Sequence, residues 1–185
     1  MILALIVLLT GCVTVTENKP SETAAEPTAR SEVDGVESWD LTGEPSAEAF
    51  GITEDRLAAT YQTDEPREIV LELAGGESLR FEAPVISFTR ARGADGDNFT
   101  VGARGATVAP DVLDTQLRDI VEQLGSSPDV VDTFSAEVAD APEDQTERVR
   151  FSSPESTYGD LTINVAANLA PIAGAGRFIV GGAWS

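Results

Sequence analysis

The chemistry open to this chain is narrowed first by the side chains it lacks. Its 185 residues include no histidine, a single cysteine, Cys12, and a single lysine, Lys19. A Ser-His-Asp or Cys-His apparatus and a histidine-ligated zinc site are therefore excluded. Lys19 falls in a polar segment ahead of the expected fold, which takes a Ser-Lys dyad or a Schiff-base lysine out of consideration. Carboxylates remain. Paired acids can cleave glycosidic bonds when their spacing suits, but among 32 acidic residues no pair stands out, and solvation accounts for most of them. A carboxylate-based glycan hydrolase is the weakest reading, and no catalytic residue, metal site or cofactor is expected.

Three smaller constellations have plainer explanations beside their chemical ones. Asp95, Asp97 and Asn98 make an acidic turn of the kind that offers oxygens to a hard cation. Phe99 occupies the third ligand position of that spacing and no glutamate follows at the right distance, so a turn built from turn-forming residues is favoured. Gly174-Ala175-Gly176 is too short, and lacks the following helix, to cradle a phosphate. Arg90, Arg92, Arg104, Arg148 and Arg150 lie on or near expected strands. Converging, they would bind an anion or a carboxylate-bearing ligand; scattered, they would pair with the abundant carboxylates, which is the favoured reading.

The net charge of -20 and pI near 4.1 argue against a nucleic-acid partner, because phosphate binding relies on clustered Lys and Arg. The same charge would be repelled by anionic lipid headgroups. Held near a membrane, such a domain would need an attachment device other than its own charged surface.

Such a device is written at the start of the chain. Residues Ile2 to Leu9 form an apolar run long enough for a secretory signal and far short of the roughly 20 residues of a spanning helix. It leads into Leu9-Thr10-Gly11-Cys12, which resembles the lipobox of bacterial lipoproteins. That resemblance covers about the first dozen residues. It implies cleavage between Gly11 and Cys12 and a lipidated Cys12 as the first mature residue, with no Lys or Arg ahead of the apolar run as the one departure from the pattern. Two or more acyl chains on one cysteine give stable attachment, since each buried CH₂ adds about 0.8 kcal/mol. The implied location is the cell membrane, facing the extracytoplasmic side, with the membrane as partner through the lipid on Cys12.

Residues 12–36 read as the lipidated cysteine and a disordered tether, with Pro20 and Pro27 interleaved among Thr, Ser and Glu. A flexible segment of that size has an end-to-end distance of about 27 Å. Residues 37–185 are then a single domain, and with the only thiol lipidated its stability rests on packing.

Within that domain the hydrophobic period switches twice. Val36 to Leu41 predicts a short strand, and Thr53-Glu54-Asp55-Arg56 the capped start of a short helix reaching Tyr61. Ile69, Leu71 and Leu73 alternate with Val70 and Glu72, Gly75-Gly76 supplies a tight turn, and Leu79 and Phe81 return as a hairpin. Pro84 is expected to end that strand, with Val85 to Arg92 and Phe99 to Ala103 as the next two. Pro110 and Asp111 then open a helix with Val112, Leu113, Leu117, Ile120, Val121 and Leu124 on one face and Gly125 as its stop. Ser127-Pro128-Asp129 opens a second, carrying Val130, Val131, Phe134 and Val138. Three strands follow, around Val149–Phe151, Leu161–Leu169 and Phe178–Trp184. The expected fold is α+β: an antiparallel sheet of about six or seven strands with a helical hairpin packed on one face.

These readings converge on a membrane-anchored extracytoplasmic lipoprotein with a non-enzymatic binding or scaffolding domain and a protein or lipid partner. The alternative is a carrier holding an apolar or amphiphilic ligand between helices and sheet, for which Ala166, Ala167, Gly181 and Gly182 would leave room.

Overall fold

A computed structural model describes residues 26–93, 96–142 and 144–185. Leu9, Thr10, Gly11, Cys12 and Lys19, and Asp95 of the acidic turn, lie outside the described residues. The fold is mixed α+β, dominated by one large sheet with two α-helices. Nine strands are present among the described residues, more than the six or seven expected: β1 (Arg30–Val33), β2 (Val36–Asp40), β3 (Ala58–Glu72), β4 (Ser78–Gly93), β5 (Gly96–Arg104), β6 (Val149–Ser152), β7 (Ser156–Tyr158), β8 (Leu161–Ala170) and β9 (Ala175–Trp184). Their order is β1-β2-β3-β4-β5-β9-β8-β6, with β7 paired to β8. Every pairing is antiparallel except β2 with β3, which run parallel.

Four differences from the sequence-based expectation have physical reasons. The stretch expected as tether ends earlier, because β1 occupies residues 30–33 and turns through Asp34 and Gly35, both at positive φ, into β2. No apolar alternation marks β1; it is held by its ladder to β2 and by Arg30, which reaches Glu37. The short helix expected at residues 53–61 does not form: Thr53 to Arg56 make a single turn, closed by Arg56 N–H on the Thr53 carbonyl, with Thr53 Oγ1 donating to the Asp55 carboxylate. From Ala58 the chain is already β3, pairing with Phe88 and Thr89. Pro84 does not end a strand either. β4 runs through it, and the register shift falls opposite, between Gln62 and Arg67 of β3, where the bulge absorbs a residue that cannot donate to the ladder. The three-residue β7 carries too little pattern to be read from sequence.

The helices form where expected, with adjustments. α1 (Pro110–Gln123) buries Leu113, Leu117, Ile120 and Val121, while Val112 is 43% exposed and sits off that face. Gly125, at φ +75°, follows the helix end as the left-handed residue expected there. The second helix starts as a 3-10 turn, Pro128–Val131, with Ser127 accepting from the Asp129 N–H, and continues as α2 (Asp132–Asp140). Val131 and Phe134 are buried there and Val130 is exposed. α1 packs on β4, β8 and β9, and α2 on β6. Arg118 fastens the pair, donating to Asp114 and to the Pro128 carbonyl and meeting Asp132 at 2.9 Å. No helix among the described residues is long and apolar enough to cross a membrane.

One face of the sheet carries the core. Ile163, Val165, Ala167 and Leu169 of β8, Phe178 and Val180 of β9, Val101 and Ala103 of β5, and Ile86 and Phe88 of β4 are all buried on alternate positions. The layer beneath α1 is tightly filled. A Cβ on Gly176 would come within 2.8 Å of Leu113, and one on Gly105 within 2.4 Å of the Phe178 ring. Of the small residues expected as possible cavity walls, Gly182 is used for close approach, since a Cβ there would meet Val101 at 2.9 Å, and Ala167 is 4% exposed, while Ala166 and Gly181 are half-buried at the alternate positions of β8 and β9.

Candidate functional site

Two groups of polar side chains sit against this core, one closed on itself and one open to solvent. The closed group centres on Glu37. Period-two alternation in β2 puts Glu37 on the same side as Trp39, and both are buried, Glu37 at 1% exposure. Its carboxylate accepts from Arg67 Nε at 2.6 Å, Trp39 Nε1 at 2.7 Å and Arg30 Nη2 at 3.0 Å. Arg67 uses its remaining donors on Thr63 Oγ1 and on the carbonyls of Tyr61, Ala83 and Pro84, all around the β3 bulge. Arg30 also lies over the Tyr61 ring, 5.6 Å from its centre. Burial alone would push the Glu37 carboxyl up; the hydrogen bonds from Arg67, Arg30 and Trp39 reverse this and hold it below the ordinary glutamate value. With three donors on its two oxygens and 1% exposure, this group holds structure together and is out of a ligand's reach.

The arginines proposed as an anion site do not converge. Arg90, 7% exposed, and Arg92 turn to the loop before β3: Arg90 Nη2 donates to the carbonyls of Thr53 and Arg56, and Arg92 Nη2 to that of Glu54 at 2.7 Å. They staple that loop to β4. Arg148 donates to Asn168 Oδ1 at 2.8 Å, and with Arg150 it borders a shallow groove shared with Glu137, Asp140 and Glu147. Arg104 is exposed at the end of β5, opposite Ile179.

The open group lies where several strand ends and turns meet. Residues 41–45 after β2, Ala74 at the tip of the β3–β4 hairpin, the start of β5, the β7–β8 turn and the end of β9 enclose a cleft of about 380 Å³. The hairpin tip and the β7–β8 turn touch there, since a Cβ on Gly159 would lie 3.3 Å from that of Ala74. Leu41, Phe99 and Leu161 are its buried apolar lining. Trp184 and Tyr158 are half-buried in it, and Trp184 is braced from behind by Phe50, whose ring centre is 5.4 Å away. Burial raises the Tyr158 phenol above its ordinary value, with Glu77 adding to the shift and a hydrogen bond with Ser156 opposing it.

The polar lining is acidic or neutral: Glu44, Asp97 and Asp160 with Thr42, Asn98 and Ser185. Asp97 Oδ2 stands 3.7 Å from Arg90 Nη1. Glu44 and Asp160 have no ion-pair partner among the described residues. The acidic turn that resembled a calcium loop therefore contributes two of its residues, Asp97 and Asn98, to the cleft wall. Among the described residues no group of three or more metal-ligating side chains is gathered.

Sequence reasoning missed Glu37, Tyr158, Asp160 and Trp184. A signal existed for Glu37 alone, a carboxylate two residues from a tryptophan on one face of a strand. Tyr158 and Asp160 share the β7–β8 turn, and Trp184 is brought to them by the pairing of β8 with β9, where it stands opposite Leu161. No family model, curated protein or solved structure matches this chain.

Proposed function

We propose that this chain is an extracytoplasmic lipoprotein, attached to the cell membrane through lipid on Cys12, whose domain is a non-enzymatic binding module with its ligand site in the cleft of Tyr158, Asp160 and Trp184. The observation that carries the reading is the pairing of a concave space of about 380 Å³ with two half-buried aromatic side chains. Binding sites combine apolar or aromatic walls with a few placed polar groups in this size range. An amphipathic aromatic ring left half-open offers apolar area at little conformational cost.

The other two classes find less support. A carrier needs enclosed apolar space between helices and sheet; Leu113, Leu117, Ile120 and Phe178 fill the layer under α1, and the grooves left at the helix edges are lined largely by charged and polar groups, Glu68, Arg80, Asp119 and Gln123 beside α1 and Glu137, Asp140, Glu147 and Arg150 beside α2. A glycan hydrolase needs one carboxyl buried enough to act as an acid at neutral pH. The carboxylates of the cleft, Glu44, Asp97 and Asp160, are all on exposed residues.

Two measurements test the reading. Cys12→Ala is expected to move the protein from the membrane fraction to the soluble one; a variant that stays with the membrane unchanged removes the lipid anchor. Purification of the lipidated protein from its membranes, followed by mass spectrometry, is expected to bring an envelope component or a stoichiometric protein whose retention falls in Trp184→Ala. Co-purifying acyl lipid that is indifferent to Trp184 would instead favour the carrier.

A further inference from the structure

The charge of the cleft narrows what it can hold. Its lining contains three carboxylate residues and no lysine or arginine. One of the three, Asp97, is offset by Arg90 at 3.7 Å. Asp160 and Glu44 are not offset, and the Asp160 backbone carbonyl, which accepts from Ser185 N–H at 3.0 Å and Ser185 Oγ at 3.3 Å, fixes the turn that carries its side chain. Independently of these acids, Trp184 and Tyr158 present ring surface to the same space.

An anionic ligand would meet uncompensated negative charge. A neutral ligand with hydroxyl groups, a glycan included, could donate hydrogen bonds to Asp160 and Glu44 but would bring no charge to offset theirs, and a charge-assisted hydrogen bond from a cation is the stronger contact. A metal ion would need three or more ligating groups gathered, and the described residues hold no such set. An ammonium head flanked by apolar carbon satisfies both halves of the site, since carboxylates take the charge and aromatic faces attract cations and cover methylenes.

Resting on the binding reading above, we infer that the cleft of Tyr158, Asp160 and Trp184 is selective for organic cations, a primary or substituted ammonium with an apolar flank.

The test uses the full chain, extracted from membranes in detergent, and a matched series of small probes: benzylammonium, benzyl alcohol and benzoate. The chain has two tryptophans, and one of them, Trp39, is 0% exposed, so ligand-induced quenching reports Trp184 and is expected to vanish in Trp184→Phe. Benzylammonium should bind saturably with a Kd at least about tenfold below that of benzyl alcohol, and benzoate should be weakest, as expected for a site of unpaired carboxylates. Asp160→Asn should raise the benzylammonium Kd by about fivefold or more. Glu122→Gln, which removes the same charge from the exposed side of α1, should leave it within about twofold. Equal affinity for benzylammonium and benzyl alcohol, or equal weakening by the two variants, would overturn cation selectivity while leaving the cleft as a binding site. Absence of any saturable Trp184 response to all three probes at millimolar concentration would remove both the selectivity and the cleft reading.

Discussion

Glu37 and Asp160 are both carboxylates next to a tryptophan, and their surroundings give them opposite meanings. Glu37 lies at 1% exposure with three donors on its oxygens, two of them guanidinium nitrogens. Asp160 is exposed on a turn, lines a cleft and has no ion-pair partner among the described residues. A saturated buried carboxylate stabilises its surroundings only while every partner is present. An unsaturated exposed one contributes little to folding and keeps its charge for something else. The contrast says where in this molecule negative charge is structural and where it is available.

The strongest way to break the contrast is to remove Glu37. Glu37→Ala leaves Arg67, whose side chain is 15% exposed, and Trp39 Nε1 without their acceptor. Removing one partner of a buried ion pair costs about 3 to 5 kcal/mol, and urea unfolding should show that loss as a lower midpoint with an unchanged slope. A loss under about 1 kcal/mol would mean the group is no more structural than the cleft acids.

Acid probes the same group without mutation. Because the folded-state pKa of Glu37 is depressed below the ordinary value of 4.5, its contribution is complete above that value. It is lost as pH falls from there through the folded pKa, since the unfolded chain then takes up the proton more readily. Wild-type stability should therefore fall in this acidic window more steeply than that of Glu37→Gln, which has no proton to gain at that position. Parallel pH profiles for the two proteins would count against the network.

A milder test separates charge from geometry. Arg67→Lys keeps the positive charge but cannot reach Glu37, Thr63 and the carbonyls of Tyr61, Ala83 and Pro84 together. A loss of about 1 to 3 kcal/mol is expected, in line with buried acceptors left unmatched. Full stability in the lysine variant would show that the bulge needs only a charge.

How much of this was legible in the sequence follows from the same contrast between local and remote information. Leu113, Leu117, Ile120 and Val121 repeat at helical spacing within one segment, and α1 is where that spacing puts it. Ile163, Val165, Ala167 and Leu169 alternate in the same way, and β8 follows. β1 has no such pattern: Ser31 and Glu32 are as polar as any tether, and the strand exists because Arg30 finds Glu37 seven residues on and Arg67 joins them from the third strand. Pro84 reads as a stop by its own chemistry, yet the cost of its missing N–H is absorbed on the partner strand, which local sequence does not record. The cleft is the extreme case. Its walls come from residues 41–45, 74, 97–99, 158–161 and 184–185, and no spacing along the chain reports that these meet. The acidic turn at Asp97 and Asn98 attracted attention for its oxygens, but only its neighbours in space give those oxygens a setting.

The smallest effect is expected from the other half of the comparison. Asp160→Asn keeps the size of the side chain and leaves intact the carbonyl that accepts from Ser185, so the turn should persist. Surface substitutions away from caps, cores and buried networks change stability by no more than about 0.5 kcal/mol. Here the change is expected in the favourable direction, because a carboxylate is removed from a cleft that also holds Glu44 and Asp97 in a chain of net charge -20. Urea unfolding of Asp160→Asn beside Glu37→Gln makes the comparison direct, since each replaces a carboxylate by its amide. A near-neutral Asp160→Asn that is nonetheless weakened in binding benzylammonium would separate the two roles within single substitutions of the same kind. A loss of more than about 1 kcal/mol for Asp160→Asn would place this carboxylate with Glu37 among the groups that hold the fold.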